Sequence, residues 1–483
     1  MDQKTHIAIF PSLPISHLIP FIEFAKRLVL DHHNFHVTCL LLTTTEDHIS
    51  PSRAKMAILD SLPAAIDIIF LPPVNLDDLP EDHKLRLTIT RSLSSLQTTL
   101  KSLLITNRLD AFFADLFGFE AIEIAKGLNV PSFIFFTSNA LSLALFLHLP
   151  NLDHELLSSV RFLSDLPDPI QLPGCVPLPS NTLMDTMQDR ESKSYKSLLN
   201  LSKGLYLTEG RIVNIFLAME FEAIKALEAN DRMPRVFLVG PIVKKESSDD
   251  HDKSECMTWL DKQPRGSVLY VSFGSGGTLS SDQMNELAFG LEMSGKNFLW
   301  VTRRPNNESS SANFLKQSSR QSQSQNQSQD KYFDYLPSGF FERTKGRGLV
   351  VESWVPQARV LSHGSTGGFM SHCGWSSILE SIVNGVPLIV WPLYAEQKMN
   401  AVMLVEELHV AMRLSCGENG IVGRDEIVRG VKEIMDQSCE EGKKVGKCMN
   451  ELKNDAIMAL GEDGSSKKAL SELAFMLLNK ASN

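Results

Sequence analysis

The chain has 483 residues, 43% of them apolar and 22% charged, with a formal net charge of −10. This is a globular composition with material for more than one core, and it leaves no basic surplus for a nucleic-acid partner. Cys39, Cys175, Cys256, Cys373, Cys416, Cys439 and Cys448 are odd in number and form no CxxC pair, so neither a disulfide framework nor a zinc site is expected and the cytosol is the expected compartment. No charged leader precedes the first apolar run, and no apolar stretch approaches the ~18 residues of a membrane span.

Apolar runs alternate with helical patterns from the start. Ile7–Phe10 reads as a buried strand, and Leu18, Phe21, Ile22, Ala25, Leu28 and Val29 then recur at helical spacing. Strands are predicted at His36–Thr43, Ile66–Leu71, Ala111–Asp115 and Ser132–Phe136. The alternation pauses after Gly240-Pro241 in a charged stretch and restarts with Ser267–Phe273, Phe298–Thr302, Gly348–Glu352, Gly367–Ser371 and Pro387–Trp391. The pattern implies an α/β chain of two tandem, doubly wound, Rossmann-like domains facing a cleft. The expected boundaries are an N-terminal domain at 1–243, a linker at 244–254, and a C-terminal domain at 255–460. The Ser/Gln/Asn tract at 306–329 reads as a mobile insertion. A last helix, 461–483, is expected to pack back on the first domain.

Two turns carry candidate chemistry. Gly274-Ser275-Gly276-Gly277-Thr278 follows a strand and precedes a helix with a Ser280-x-x-Gln283 capping box, a pattern that serves as an anion site or simply as a tight turn. It lacks the G-x-G-x-x-G spacing and a suitably placed acidic residue, which weighs against a nicotinamide cofactor. His372-Cys373-Gly374-Trp375-Ser376-Ser377 opens a second helix and offers further hydrogen-bond donors. Two such sites suit a diphosphate better than a monophosphate. Asp250-His251-Asp252 spells a D-x-D pattern but lies in the charged linker, and no metal is expected.

Trp354-Val355-Pro356-Gln357, His372-Cys373-Gly374-Trp375, Glu380 and Glu396-Gln397 together resemble, in residues and spacing, the donor-binding box of plant family 1 UDP-glycosyltransferases. Phe10-Pro11-Ser12, His17-Leu18-Ile19-Pro20, Asp115-Leu116-Phe117-Gly118 and Pro392–Ala401 are similar to the branch that glucosylates monolignols, hydroquinone and related phenols.

The resemblance implies the GT-B fold, UDP-glucose as co-substrate with no cofactor or metal, and inverting transfer to a phenolic hydroxyl. It assigns Trp354 to uracil stacking, the Val355 backbone to the base edge, and Gln357 and Glu380 to the ribose. Ser275, His372, Ser376 and Ser377 would surround the diphosphate. Trp375, Glu396 and Gln397 would contact the sugar, joined by Ser138, and a terminal Gln goes with glucose more often than galactose. His17 would be the general base and Asp115 the carboxylate orienting it. Phe117, Phe119, Phe146, Leu183 and Ala395 would line the acceptor pocket.

Two departures stand out. Leu13-Pro14-Ile15-Ser16 replaces the usual proline-glycine-x-glycine before the histidine, and Ser376 stands where most relatives carry Asn, although some monolignol-type relatives also have Ser. A non-catalytic UDP-sugar-binding protein with an impaired first loop is the alternative these changes raise. A monomer suffices for either reading.

Overall fold

Buried strands with both faces covered read as continuous apolar runs, and the two sheets are built from such runs. The computed structural model describes residues 4–45, 59, 61–76, 84–107, 109–155, 160–165, 168–229, 234–244, 254–308, 333–352, 354–436 and 438–482. Most of the expected linker (245–253, with Asp250-His251-Asp252) and of the expected insertion (309–329) lies outside them. The chain divides into two units. Met1–Asn181, Thr186–Lys244 and Ile457–Asn483 form the first, and Thr182–Asp185 with Lys245–Ala456 forms the second.

The first unit holds a seven-stranded sheet in the order β3-β2-β1-β4-β5-β6-β7. Its strands are β1 (Thr5–Phe10), β2 (Phe35–Leu41), β3 (Ile66–Phe70), β4 (Ala111–Asp115), β5 (Ser132–Phe136), β6 (Gly210–Val213) and β7 (Arg235–Leu238). Every pairing is parallel, with Phe10 opposite Ala114 across β1 and β4. Strand order reverses there, so the carboxyl ends of β1 and β4 splay apart, which is where ligands bind in such sheets. Phe21 stacks on Phe135 at 4.7 Å, joining helix Ile15–Asp31 to the sheet, and Phe113 stacks on Phe133 at 4.8 Å between β4 and β5.

The C-terminal helix Ser465–Ser482 belongs to the same core, where Leu470, Leu473, Ala474 and Leu477 are buried with β1 and helix Ile15–Asp31. Ion pairs of Arg235 with Glu472 and of Lys480 with Glu209 (2.6 Å) flank that contact.

The second unit has a six-stranded parallel sheet in the order β10-β9-β8-β11-β12-β13. Its strands are β8 (Val268–Ser272), β9 (Asn297–Thr302), β10 (Gly348–Glu352), β11 (Thr366–Ser371), β12 (Leu388–Val390) and β13 (Ala411–Arg413). Here the order reverses between β8 and β11, with Ser272 opposite Ser371.

Three strands go beyond the apolar runs read from sequence: β6, β7 and β13. β6 contains Arg211, fully buried, whose guanidinium donates to the carbonyls of Pro234 (3.1 Å) and Leu205 (3.0 Å) and faces the Tyr206 ring. A charged residue inside a four-residue strand hides the apolar run that would announce it. Burial pushes this guanidinium down to about 10. Among the described residues no helix is long and apolar enough to cross a membrane.

Leu473 is fully buried. Leu473→Ala is therefore expected to destabilise the first unit by about 2–5 kcal/mol, the usual cost of a core Leu truncation. Thermal unfolding followed by circular dichroism measures it.

Candidate active site: a histidine–aspartate pair and a diphosphate cradle

Helix Ile15–Asp31 starts directly after Pro14 and sets His17 in its first turn. Pro14 is the residue before the helix, at φ −60° and ψ 134°, and its carbonyl accepts from the His17 and Leu18 N–H groups (2.9 and 3.0 Å). Proline is suited to this place because its φ is preset and no N–H is required of it. The altered first loop thus starts the helix that carries His17.

Asp115, the last residue of β4, has no solvent exposure. Its Oδ1 accepts from the Phe117 N–H (2.9 Å), while Oδ2 lies 2.8 Å from His17 Nδ1. Thr137 Oγ1 is 3.0 Å from the same nitrogen. The His17 side chain keeps 19% of its exposure, and the Phe117 ring lies over it at 5.2 Å. With Nδ1 engaged by a buried carboxylate, the imidazole is held in one orientation and proton abstraction falls to Nε2.

Thr137 was not singled out by sequence, nor was Glu220, a buried carboxylate that accepts from the Ala140 and Leu141 N–H groups (2.9 and 2.7 Å). Asn139 Oδ1 accepts from the Ser142 N–H (2.9 Å). Helix Ala140–Glu155 therefore has its first N–H groups satisfied by protein, which fixes the turn holding Thr137 and the buried Ser138. Glu220 lies about 80 residues downstream of the turn it holds (a sequence separation of 80 from Ala140), and no local pattern marks it.

In the second unit the helix after the glycine-rich turn keeps the serine half of its expected capping box and loses the glutamine half. Helix Ser281–Ser294 starts only after Ser280, whose hydroxyl accepts from the Gln283 N–H (3.2 Å), and Asn307 Oδ1 takes the Ser281 N–H (2.9 Å). The Gln283 side chain bonds both backbone groups of Val422 instead of closing a capping box. That helix end is thus engaged by protein, which leaves the Gly274–Gly277 turn itself as the candidate anion-binding element.

Helix Trp375–Asn384 differs: Gly374 precedes it and no side chain caps it. Its N–H groups, with the hydroxyls of Ser376 and Ser377, are the other candidate half of an anion cradle. His372 links the halves. A Cβ on Gly274 or on Gly374 would lie 2.3 or 2.4 Å from His372 Nε2, so both positions need glycine to leave room for the ring. Gly274 also has φ +74°.

Burial, helped by the charge of Arg303, pushes the His372 imidazole down to about 4, so it is neutral at physiological pH and presents one N–H donor. Its Nδ1 has no hydrogen-bond partner among the described residues. Cys373 adopts φ +64°, held by a bond from its N–H to Ser371 Oγ (3.2 Å) and by Asn400 Nδ2 donating to its carbonyl (2.9 Å). Burial pushes its thiol up to about 12, so Cys373 shapes the turn and is no nucleophile.

Gln357 Nε2 donates to Ser377 Oγ and to Glu380 Oε2, both at 2.9 Å, and the Tyr270 hydroxyl donates to Gln357 Oε1 (3.2 Å). Three of the expected donor residues are thus one network, and Tyr270 is a member that sequence did not reveal. Trp354 is 66% exposed beside the buried Val355, an indole face open for stacking.

Gln397 is buried, and its Oε1 accepts from the Leu393 and Tyr394 N–H groups (2.9 and 3.0 Å). Only its amide N–H₂ can therefore address a sugar hydroxyl. Trp375 is buried, and Glu396 is the residue before helix Gln397–Val402. Of the expected acceptor lining, Phe117 touches His17, whereas Phe146 is buried against Phe136 (6.1 Å) and the Phe119 ring lies against Gly204. Leu183 is buried on Thr182–Asp185, a segment of the second unit tied by Lys398 to Asp185 (2.9 Å), and Ala395 is exposed at φ +54°. Among the described residues no group of three metal-ligating side chains comes together.

His372 yields a pH prediction. Its folded value (about 4) lies below its unfolded one (6.5), so the unfolded chain protonates first as pH falls. The stabilisation is complete above pH 6.5 and is lost toward pH 4, amounting to about 3 kcal/mol. Denaturant unfolding across this window is expected to show a steeper acid loss in the native sequence than in His372→Gln. Equal slopes would contradict a neutral buried imidazole.

The family model for UDP-glucoronosyl and UDP-glucosyl transferases matches residues 230–441. Hydroquinone glucosyltransferase from Rauvolfia serpentina is 49% identical over 488 residues, with 100% of both chains covered. Among solved structures, Phytolacca americana UGT2 complexed with UDP-2fluoro-glucose and pterostilbene superposes with a TM-score of 0.85 at 45% identity, covering 99% of this chain and 100% of that one. A Polygonum tinctorium UDP-glucosyltransferase capable of glucosylating indoxyl, in complex with 3,4-dichloroaniline, gives 0.86 at 45% identity, covering 98% and 99%. With this agreement over whole chains, the protein belongs to the UDP-glycosyltransferase family and has its GT-B fold.

Proposed function

We propose that this enzyme transfers glucose from UDP-glucose to a hydroxyl of a small phenolic acceptor, a monolignol, hydroquinone or related phenylpropanoid or flavonoid, and forms a β-O-glucoside. The observation that carries the reading is the His17–Asp115 pair, a partly exposed imidazole bonded at 2.8 Å to a fully buried carboxylate. Relatives whose names specify hydroquinone or whose structures hold pterostilbene favour a phenol.

In the step proposed, His17 Nε2 takes the phenolic proton as the oxygen attacks the anomeric carbon. The bond from that carbon to the β-phosphate oxygen breaks, and the electron pair leaves with UDP. One displacement converts the α-linked donor to a β-glucoside. A phenol has a pKa of about 10, so a neutral imidazole is a sufficient base. Asp115 stabilises the imidazolium, and Thr137 and Phe117 help to set the ring plane.

On the donor side, Trp354 stacks on uracil, the Val355 backbone reads its edge, and Gln357 with Glu380 holds the ribose. Ser275, His372, Ser376 and the Trp375–Asn384 helix start receive the diphosphate charge, so the leaving group is stabilised by fixed donors. The Ser377 hydroxyl accepts from Gln357 and joins the ribose network to that helix start. Trp375, Glu396, the Gln397 amide and Ser138 address the sugar. The mechanism calls for neither a metal nor a second subunit. Seven free thiols are in keeping with a cytosolic address.

The non-catalytic alternative has no observation in its favour, since Pro14 supports the helix that carries His17.

The test is incubation with UDP-glucose and a phenol panel in EDTA, alongside His17→Ala and Asp115→Asn. His17→Ala is expected to cut turnover by about two to four orders of magnitude and to keep UDP affinity. Asp115→Asn should also lower turnover and leave UDP affinity unchanged. Loss of UDP binding in either variant would contradict the assignment of His17 as base.

A further inference from the structure

The residue that follows β9 and Thr302 is Arg303. Because β9 lies beside β8 in the sheet, Arg303 starts next to the carboxyl end of β8, where the glycine-rich turn begins. It is half-buried, and its guanidinium donates to the carbonyl of Gly274. Gly274 is also the residue whose missing Cβ leaves room for His372, and its N–H approaches Ser272 Oγ (3.4 Å). Arg303, Gly274 and His372 are therefore one contiguous cluster.

The Gly274–Ser275 peptide is not among the cis bonds of the chain. In a trans peptide the C=O and the following N–H point in opposite directions. Anchoring the Gly274 carbonyl on Arg303 therefore turns the Ser275 N–H away from the guanidinium. Gly274 has wide conformational freedom, so without such an anchor this peptide plane is loosely determined.

We propose that Arg303 is the positioning residue of the diphosphate cradle, fixing the Gly274 peptide so that the Ser275 N–H is presented to the nucleotide's phosphates and placing a permanent positive charge beside His372. The proposal rests on the donor-site reading above. That charge also contributes, after burial, to keeping His372 neutral, so the imidazole meets the diphosphate as a hydrogen-bond donor whose protonation the incoming anion favours. An arginine is suited to the task because its planar fork holds a carbonyl while remaining charged under partial burial.

The test compares UDP with uridine, which shares the base and ribose but lacks phosphates, by isothermal titration of the native enzyme, Arg303→Met and Arg303→Lys. Thermal unfolding and the acceptor KM are recorded for each. The native enzyme should bind UDP more tightly than uridine. Arg303→Met should weaken UDP by about tenfold to a hundredfold, the scale of a lost charge-assisted contact, with uridine affinity and acceptor KM unchanged. Arg303→Lys should recover part of that loss, and its smaller UDP-only deficit carries the test if the Met variant fails to fold.

Native UDP affinity in Arg303→Met would overturn the proposal while leaving the donor site intact. Equal losses of UDP and uridine would overturn it by showing a general structural role. A native enzyme that binds uridine as tightly as UDP would overturn the donor-site reading itself, and this proposal with it.

Discussion

Each sheet reverses its strand order once, and the chemistry of the protein depends on where. Between β1 and β4 the chain winds outward in both directions, as it does between β8 and β11. Connections leaving such a pair run to opposite sides, so backbone N–H groups and side chains at the carboxyl ends are left facing a crevice. His17 and Asp115 occupy this position in the first sheet, and the Gly274–Gly277 turn and His372 occupy it in the second. The placement is a property of topology, and it explains why residues nearly a hundred positions apart meet at 2.8 Å.

The two switch points are finished differently. The first is electrostatic in the narrow sense: a carboxylate with no exposure faces one imidazole nitrogen, and a second buried carboxylate, Glu220, closes the helix end behind Thr137. The second is built to accept charge. Its histidine is held neutral, the helix start at Trp375 carries no side-chain cap, and the neighbouring helix end at Ser281 is already satisfied by Ser280 and Asn307. Of these two helix starts, the one at Trp375 is the one left without a side-chain cap. The cost is local strain, visible in the left-handed conformations of Cys373 and Ala395; Asn400 donates to the Cys373 carbonyl, and Gln397 Oε1 accepts from the Leu393 and Tyr394 N–H groups just before Ala395.

Much of this was legible in the sequence for physical reasons. Parallel strands covered on both faces must be apolar throughout, so ten of them announce themselves as runs, and parallel α/β architecture follows. Family membership was legible because the residues between Trp354 and Gln397 stand at fixed spacing, and Gln357, Ser377 and Glu380 of that span do meet in one network. What escaped was whatever depends on partners distant in the chain. Arg211 inside β6, Glu220 beneath the Thr137 turn, Tyr270 in the Gln357 network and Arg303 on the Gly274 carbonyl carry no local signature. The capping box at Ser280 shows the converse. The pattern was present, but Gln283 found better partners in Val422. Phe119 and Phe146 show how aromatic residues near a site are drawn into packing, leaving Phe117 as the ring that meets His17.

The proposed reaction is a single displacement at the anomeric carbon with a histidine as base. Proton NMR of a reaction mixture containing the enzyme, UDP-glucose, coniferyl alcohol or hydroquinone, and EDTA tests it most directly, because the anomeric coupling reports the configuration of the first product formed. The account predicts a β-glucoside accumulating in step with UDP. An α-glucoside, or product that disappears when EDTA is added, would contradict it.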